Sequence, residues 1–166
     1  MEASIEAAVG IFLGLLIILI AYTLFFPMIE ERQRQATFVQ ARNLALELHS
    51  AIESVAASGK GTQTTIRFEV PAEVVIHAGP GDEVNKSVWI ALKNPPEYAG
   101  SVVIATGAIS IVNQTIEDSQ IVFKIRSTGD WNITLSGVVP SGAEVPFTVS
   151  NAGNKTVVVR VGWGGG

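Results

Sequence analysis

Four Asn-x-Ser/Thr triplets are the residues of this chain whose types and spacing best suit covalent chemistry: Asn85-Lys-Ser87, Asn113-Gln-Thr115, Asn132-Ile-Thr134 and Asn154-Lys-Thr156. The chemistry is acceptance of a glycan on the Asn side-chain amide, which requires an exposed Asn on the translocated side of a membrane. The chain has seven Asn, and Ser plus Thr make up 23 of its 166 residues. Random placement would give about one such triplet, so four is an excess. Other residue types offer less. His49 and His77 fall in different expected parts, and neither is read with an Asp or Glu at ligand spacing, so no metal site is expected. No Ser sits in a Gly-x-Ser-x-Gly elbow. Gly59-Lys60-Gly61-Thr62 is like the end of a phosphate loop, but it lacks the upstream Gly and follows a helix. Glu117-Asp118 and Gly81-Asp82-Glu83 read as solvated turn acids. The absence of Cys excludes a disulfide scaffold, a thiolate metal site and a Cys nucleophile. A net charge of −4 points to no nucleic-acid partner. No catalytic constellation emerges, and no cofactor is expected.

The elements that must carry these triplets differ sharply along the chain. From Ala7 to Ile29 there is no charged residue. As a helix this run is about 35 Å long, enough to cross a bilayer core. Its start is acidic, Glu2 and Glu6, and the run is longer than the core of a secretory signal. Arg32, Arg34 and Arg42 follow it, which would place the downstream side in the cytoplasm. The glycan-acceptor triplets demand the opposite. A basic leader, removed from the mature chain, reconciles the two, and Met1 then need not begin the primary product.

Phe38, Ala41, Ala45, Leu48, Ile52 and Val55 are spaced 3, 4, 3, 4, 3, an apolar stripe on one helix face. The stripe suits packing against the chain's own head, against other subunits, or both. It ends at Ser58-Gly59-Lys60-Gly61, where Gly59 or Gly61 is a natural C-cap. Pro27 should disturb the helix by leaving the Thr23 carbonyl without a donor. Gly10 and Gly14 form a GxxxG step that admits a close helix neighbour.

Beyond residue 60 the pattern is β throughout. Thr62–Val70 alternates, with Ile66, Phe68 and Val70 on one face. Val84–Leu92 places Val88, Ile90 and Leu92 together. Trp89 is then either a surface aromatic on the other face or, if the register slips by one, a core residue. Further strands are expected at 101–106, 108–113, 119–127, 131–136, 144–149 and 156–162. Trp131, Ile133 and Leu135 should face inward and Asn132 and Thr134 outward. The terminal Gly162-Trp163-Gly164-Gly165-Gly166 reads as a loose end or a tail held by one indole. The expected fold class is α+β: a long N-terminal hydrophobic helix followed by an all-β, Ig-like sandwich head. The expected division is a helix over 1–58, a Gly-rich hinge over 59–63 and a head over 64–166.

This order of parts resembles the archaeal type IV pilins and archaellins, the class III signal peptide proteins. The likeness is most specific in Ser4-Ile-Glu-Ala-Ala-Val-Gly-Ile-Phe-Leu-Gly14 and the aliphatic run after it. The 42–65 stretch, with its helix end, Ser-Gly-Lys-Gly break and Thr-rich strand, is also similar. The resemblance implies a membrane precursor, a prepilin peptidase that removes a leader, an assembly machinery and a homopolymer outside the cell. Its helices would form the core, through Glu6, Gly10, Ile11, Gly14, Leu15, Ile18, Phe25, Phe26 and Pro27, with the heads outside. It implies adhesion or motility and no enzymatic activity. Bacterial pilins carry a Glu at the fifth mature position; this sequence departs from that pattern, its acids standing at Glu6 and Glu2 counting from Met1. The alternative is a single-pass, membrane-anchored extracellular binding module, stator-like or adhesive.

Overall fold

The computed structural model describes residues 2–162, with side chains from Ile5 onward. Met1, the Glu2 side chain and the Trp163 tail lie outside the described residues. Among the described residues one α-helix, α1 (Glu2–Ala57), precedes nine strands, with a short 3-10 helix at Gly81–Glu83 between the second and third strands. The strands are β1 (Gln63–Val70), β2 (Val74–Ala78), β3 (Ser87–Leu92), β4 (Val102–Thr106), β5 (Ser110–Glu117), β6 (Gln120–Ser127), β7 (Asn132–Ser136), β8 (Ala143–Gly153) and β9 (Thr156–Val161). The chain forms two compact units, Met1–Ala36 and Thr37–Gly166. The boundary between these units falls inside α1.

In the first unit the helix runs without interruption through Pro27, so the disturbance expected there does not break it. In the second unit the rest of α1 joins two sheets in an α+β fold. One sheet has the order β1-β8-β9-β7, antiparallel except for the parallel β7–β9 pair. The other, β2-β3-β6-β5-β4, is wholly antiparallel.

The apolar faces expected to point inward do so, although β3 and β6 also bury Ala91 and Val122 from their other faces. Val88, Ile90 and Leu92 are buried, as are Ile121, Phe123 and Ile125 opposite them in β6. Ile133 is buried, with Trp131 and Leu135 packed against the same cluster. Trp89 lies half-buried on the other face, its ring 5.7 Å from His77 and 4.1 Å from Lys124 Nζ. Its indole N–H donates to Ser87 Oγ at 3.0 Å. Strand β2 was not anticipated: it is five residues long and confined between Pro71 and Gly79, yet Val74 and Ile76 are buried. Strand β5 starts two residues later than expected and runs on to Glu117. The two-residue turns Asp118-Ser119 and Asn154-Lys155 have positive φ at both positions, as type I′ hairpin turns require.

The stripe residues Phe38, Ala41, Ala45, Leu48, Ile52 and Val55 are all buried, and Leu44, His49, Ala51 and Ala56 widen it. They form one core with Phe123, Phe147, Val149 and Val159 from the two sheets. The head is thus not a self-contained sandwich; 37–57 supplies part of its interior. Full burial of each Leu, Ile or Val stabilises by about 1.5–3 kcal/mol, so the stripe contributes substantially to the head.

Candidate functional site

The apolar segment has no cover from its own unit. Every residue from Ile5 to Ile29 is exposed except Ala21, which is half-buried. Seventeen large apolar side chains in this span stand 40–67% exposed. Consecutive residues 15 to 20 are all among them, and at 3.6 residues per turn they cover every side of the helix. Ile11, Leu15, Ile18, Phe25 and Phe26 belong to this surface. A Cβ added at Gly10 or Gly14 would meet nothing, so both leave their side of the helix open to a neighbour. Glu6 is exposed one residue before the uncharged run. Tyr22 and Phe26 stack one turn apart, with ring centroids at 5.1 Å. The Thr23 hydroxyl donates to the Ile20 carbonyl at 2.9 Å, beside the place where Pro27 withholds a donor.

The four Asn-x-Ser/Thr triplets occupy unlike environments. Asn85, Asn132 and Asn154 are exposed, in the loop before β3, at the start of β7 and in the β8–β9 turn. Asn113 is half-buried in the middle of β5, and its Oδ1 is buried without a hydrogen-bond partner.

A third feature locks the helix into the head. Glu53, on α1, reaches the turn between β4 and β5. Its Oε1 accepts the Ile109 N–H at 3.0 Å, the Ser110 N–H at 2.7 Å and the Ser110 hydroxyl at 3.0 Å; Oε2 accepts the Ala108 N–H at 3.1 Å. His49 Nδ1 lies 2.8 Å from Ser110 Oγ. A carboxylate only accepts, so the Ser110 proton points to Glu53 and the His49 Nδ1–H donates to Ser110 Oγ. Burial alone would raise the Glu53 carboxyl, but these four donors outweigh it and hold it below its usual range. Burial pushes the His49 imidazole down, against the opposing pull of the Glu53 charge. The cluster contains the residue types of a hydrolytic triad in the wrong order: the serine lies between the others and its proton is committed to the carboxylate. With Ser110 fully buried, the geometry is that of an anchor.

The far end of α1 is held in a similar way. The Asn151 amide donates to the Val55 and Ala56 carbonyls at 3.4 Å each, two of the acceptors a helix end leaves unpaired. Gly59 turns with φ +92°, and the Gly61 N–H donates to the Asn151 carbonyl at 2.9 Å. The Gly-rich stretch read as a hinge is therefore bonded to β8.

The chain matches no family model, no curated protein and no solved structure.

Of the residues expected to act, the structure groups Glu6 to Pro27 on one exposed helix and three of the four triplets on exposed loops or strand ends. Neither Glu53, Ser110 nor Asn151 was singled out from sequence. One signal was present: Glu53 follows His49 by four residues, the spacing that places two side chains on one helix face. The expectation that His49 has no acid at a usable spacing is corrected accordingly. Among the described residues, no three His, Asp or Glu converge as a metal site would need.

Proposed function

We propose that the chain is the structural subunit of an extracellular filament of the type IV pilus or archaellum kind, polymerising through its N-terminal helices with the β heads outside. The observation that supports this most is the contrast between the two halves of α1. Residues 38–56 bury their apolar face in the head, whereas residues 5–29 leave apolar surface bare on every side. Such a segment must be covered by lipid or by other protein. Before assembly the membrane covers it; after assembly the helices of identical subunits do, each fully buried aliphatic gaining about 1.5–3 kcal/mol over exposure to water. In this reading a membrane peptidase removes a leader from the precursor, and an assembly machinery moves the chain from membrane to filament. Adhesion or motility is the use of such a polymer.

The same all-round exposure suits a helix that never leaves lipid. A single-pass anchor carrying an extracellular binding head is therefore the second reading. Electron microscopy of material sheared from the cell surface separates the two. Filaments that contain this chain support the subunit reading. Its retention in the membrane fraction, with no filament containing it, supports the anchor and defeats the subunit.

A further inference from the structure

Three of the glycan-acceptor triplets, distant in sequence, meet in space. The Ile133 N–H donates to the Asn85 carbonyl at 2.9 Å. The Asn132 N–H donates to the Lys155 carbonyl at 2.7 Å, next to Asn154. Asn132 also faces Thr156 in the β7–β9 register. The loop before β3, the start of β7 and the β8–β9 turn are thus stitched together by backbone bonds, and all three Asn are exposed. We infer that Asn85, Asn132 and Asn154 form a single glycan-bearing patch at one end of the head, and that Asn113 carries no glycan.

The place of the patch in the head follows from the same bonds. The β8–β9 turn lies beside the C-terminal end of α1: Gly153 packs against the Lys60 side chain, and Gly61 is bonded to Asn151. Residues 37–57 of the helix extend about 30 Å through the head at ~1.5 Å per residue. The patch therefore marks the end of that helical stretch remote from Thr37. Sugars there keep this end of the head hydrated.

Asn113 is disfavoured by its surroundings. It sits in β5 with β4 on one side and β6 on the other, opposite Val103 and Lys124. The Lys124 ammonium is held over the Trp89 ring and paired with Glu117, which closes that side. Asn113 is half-buried between two paired strands with its Oδ1 buried, which leaves its amide less room for a bulky substituent than at the three exposed Asn.

The reaction is glycosyl transfer from an oligosaccharide held as a glycosyl phosphate on a lipid carrier. The Asn Nδ2 forms a bond to the anomeric carbon. The bond from that carbon to the phosphate oxygen breaks, the lipid phosphate leaves with the electron pair, and one Nδ2 proton passes to a base of the transferase. The Ser87 hydroxyl of the first triplet is buried at the first residue of β3, so transfer to Asn85 requires that strand end to open, a smaller opening than freeing Asn113 from between β4 and β6.

This inference rests on export of the head, as in the reading above, and not on polymerisation. The test is glycopeptide mapping by mass spectrometry of the chain from the cells that make it, taken both from membranes and from any filaments. The expected result is glycan on the Asn85, Asn132 and Asn154 peptides and an unmodified Asn113 peptide. Glycan on Asn113, or an unmodified peptide at any of the other three, overturns it. As a second measurement, Asn113→Gln should leave the glycan mass of the chain unchanged, and Asn85→Gln, Asn132→Gln and Asn154→Gln combined should remove all of it. Membranes yield the chain whether or not filaments form, so failure of the filament reading leaves this result readable.

Discussion

Glu53 and Ser110 meet twice on a single oxygen: the Ser110 N–H at 2.7 Å and its hydroxyl at 3.0 Å both donate to Glu53 Oε1, across 57 residues of sequence. This contact joins the helix to the β4–β5 turn. Gly107 makes room for it, because a Cβ there would overlap the Glu53 carboxylate. Glu53→Gln keeps the shape but puts an NH2 group where one oxygen must accept. Bonds to a charged group contribute about 1.5–3 kcal/mol each, and buried donors left unpaired cost about 1–3 kcal/mol. Chemical denaturation of the 37–166 fragment should show a loss of about 1–3 kcal/mol for Glu53→Gln. Gly107→Ala should lose a similar amount by displacing the carboxylate. Wild-type stability in both would remove the anchor role.

Acid should weaken the same anchor. The Glu53 carboxyl is held below its usual value, so the unfolded chain binds its proton first as pH falls; the stability it contributes is present above about 4.3 and is lost through the lower folded value. The His49 imidazole is also held down, so below about 6.5 the unfolded chain takes up a proton that the folded chain refuses. Both groups act in one direction. The urea midpoint of the 37–166 fragment should be flat above about pH 7.5, fall below about 6.5 and fall again below about 4.3. His49→Gln should remove the first decline and leave the second. A midpoint that rises between neutral pH and pH 5.5 would contradict the assignment.

The stripe makes the helix indispensable to the head. Leu48 is fully buried among both sheets' core residues. Leu48→Ala should cost about 2–5 kcal/mol. A fragment beginning at residue 64 lacks the whole stripe and should show no cooperative unfolding transition, whereas one beginning at residue 37 should unfold cooperatively. A stable, cooperative 64–166 fragment would refute this view of the core.

The helix end can be tested independently. Asn151→Ala removes the two bonds to the Val55 and Ala56 carbonyls and the acceptor of the Gly153 N–H, 2.9 Å from Asn151 Oδ1. Amide hydrogen exchange should then quicken at the last turn of α1 and at Gly61 and Gly153, with a stability loss of about 1–3 kcal/mol. Unchanged exchange at these amides would show that the backbone pairing with β8 suffices.

Assembly is expected to depend on Glu6. An unpaired carboxylate in a helical bundle is costly, and in a polymer of identical chains a neighbour's N-terminal ammonium is available to pair with it. Such a pair would fix the axial register of each subunit. Glu6→Ala should therefore reduce surface filaments more than Glu2→Ala, at equal amounts of chain in the membrane. Abundant filaments from Glu6→Ala would eliminate the register role; equal losses in both variants would remove the distinction between the two acids.

What the sequence determined by itself is what depends on neighbours along the chain. The uncharged run from Ala7 to Ile29, the 3-4-3-4-3 stripe and the alternation of Val88, Ile90 and Leu92 are local patterns, and each appears where its period placed it. A short strand between Pro71 and Gly79 was not legible, because five residues offer too little alternation to outweigh the breakers around them. Only the tertiary structure decided where the helix stops being free surface and becomes core, since a stripe on one helix face does not say what covers it. Tertiary structure alone also joined His49 and Glu53 to Ser110, because the half-buried Glu53 carboxylate takes donors that 57 residues of chain must fold back to supply. The triplets were visible as sequence, but their exposure was not. Asn113 falls between two paired strands, whereas Asn85, Asn132 and Asn154 are brought together by backbone bonds that sequence spacing does not encode.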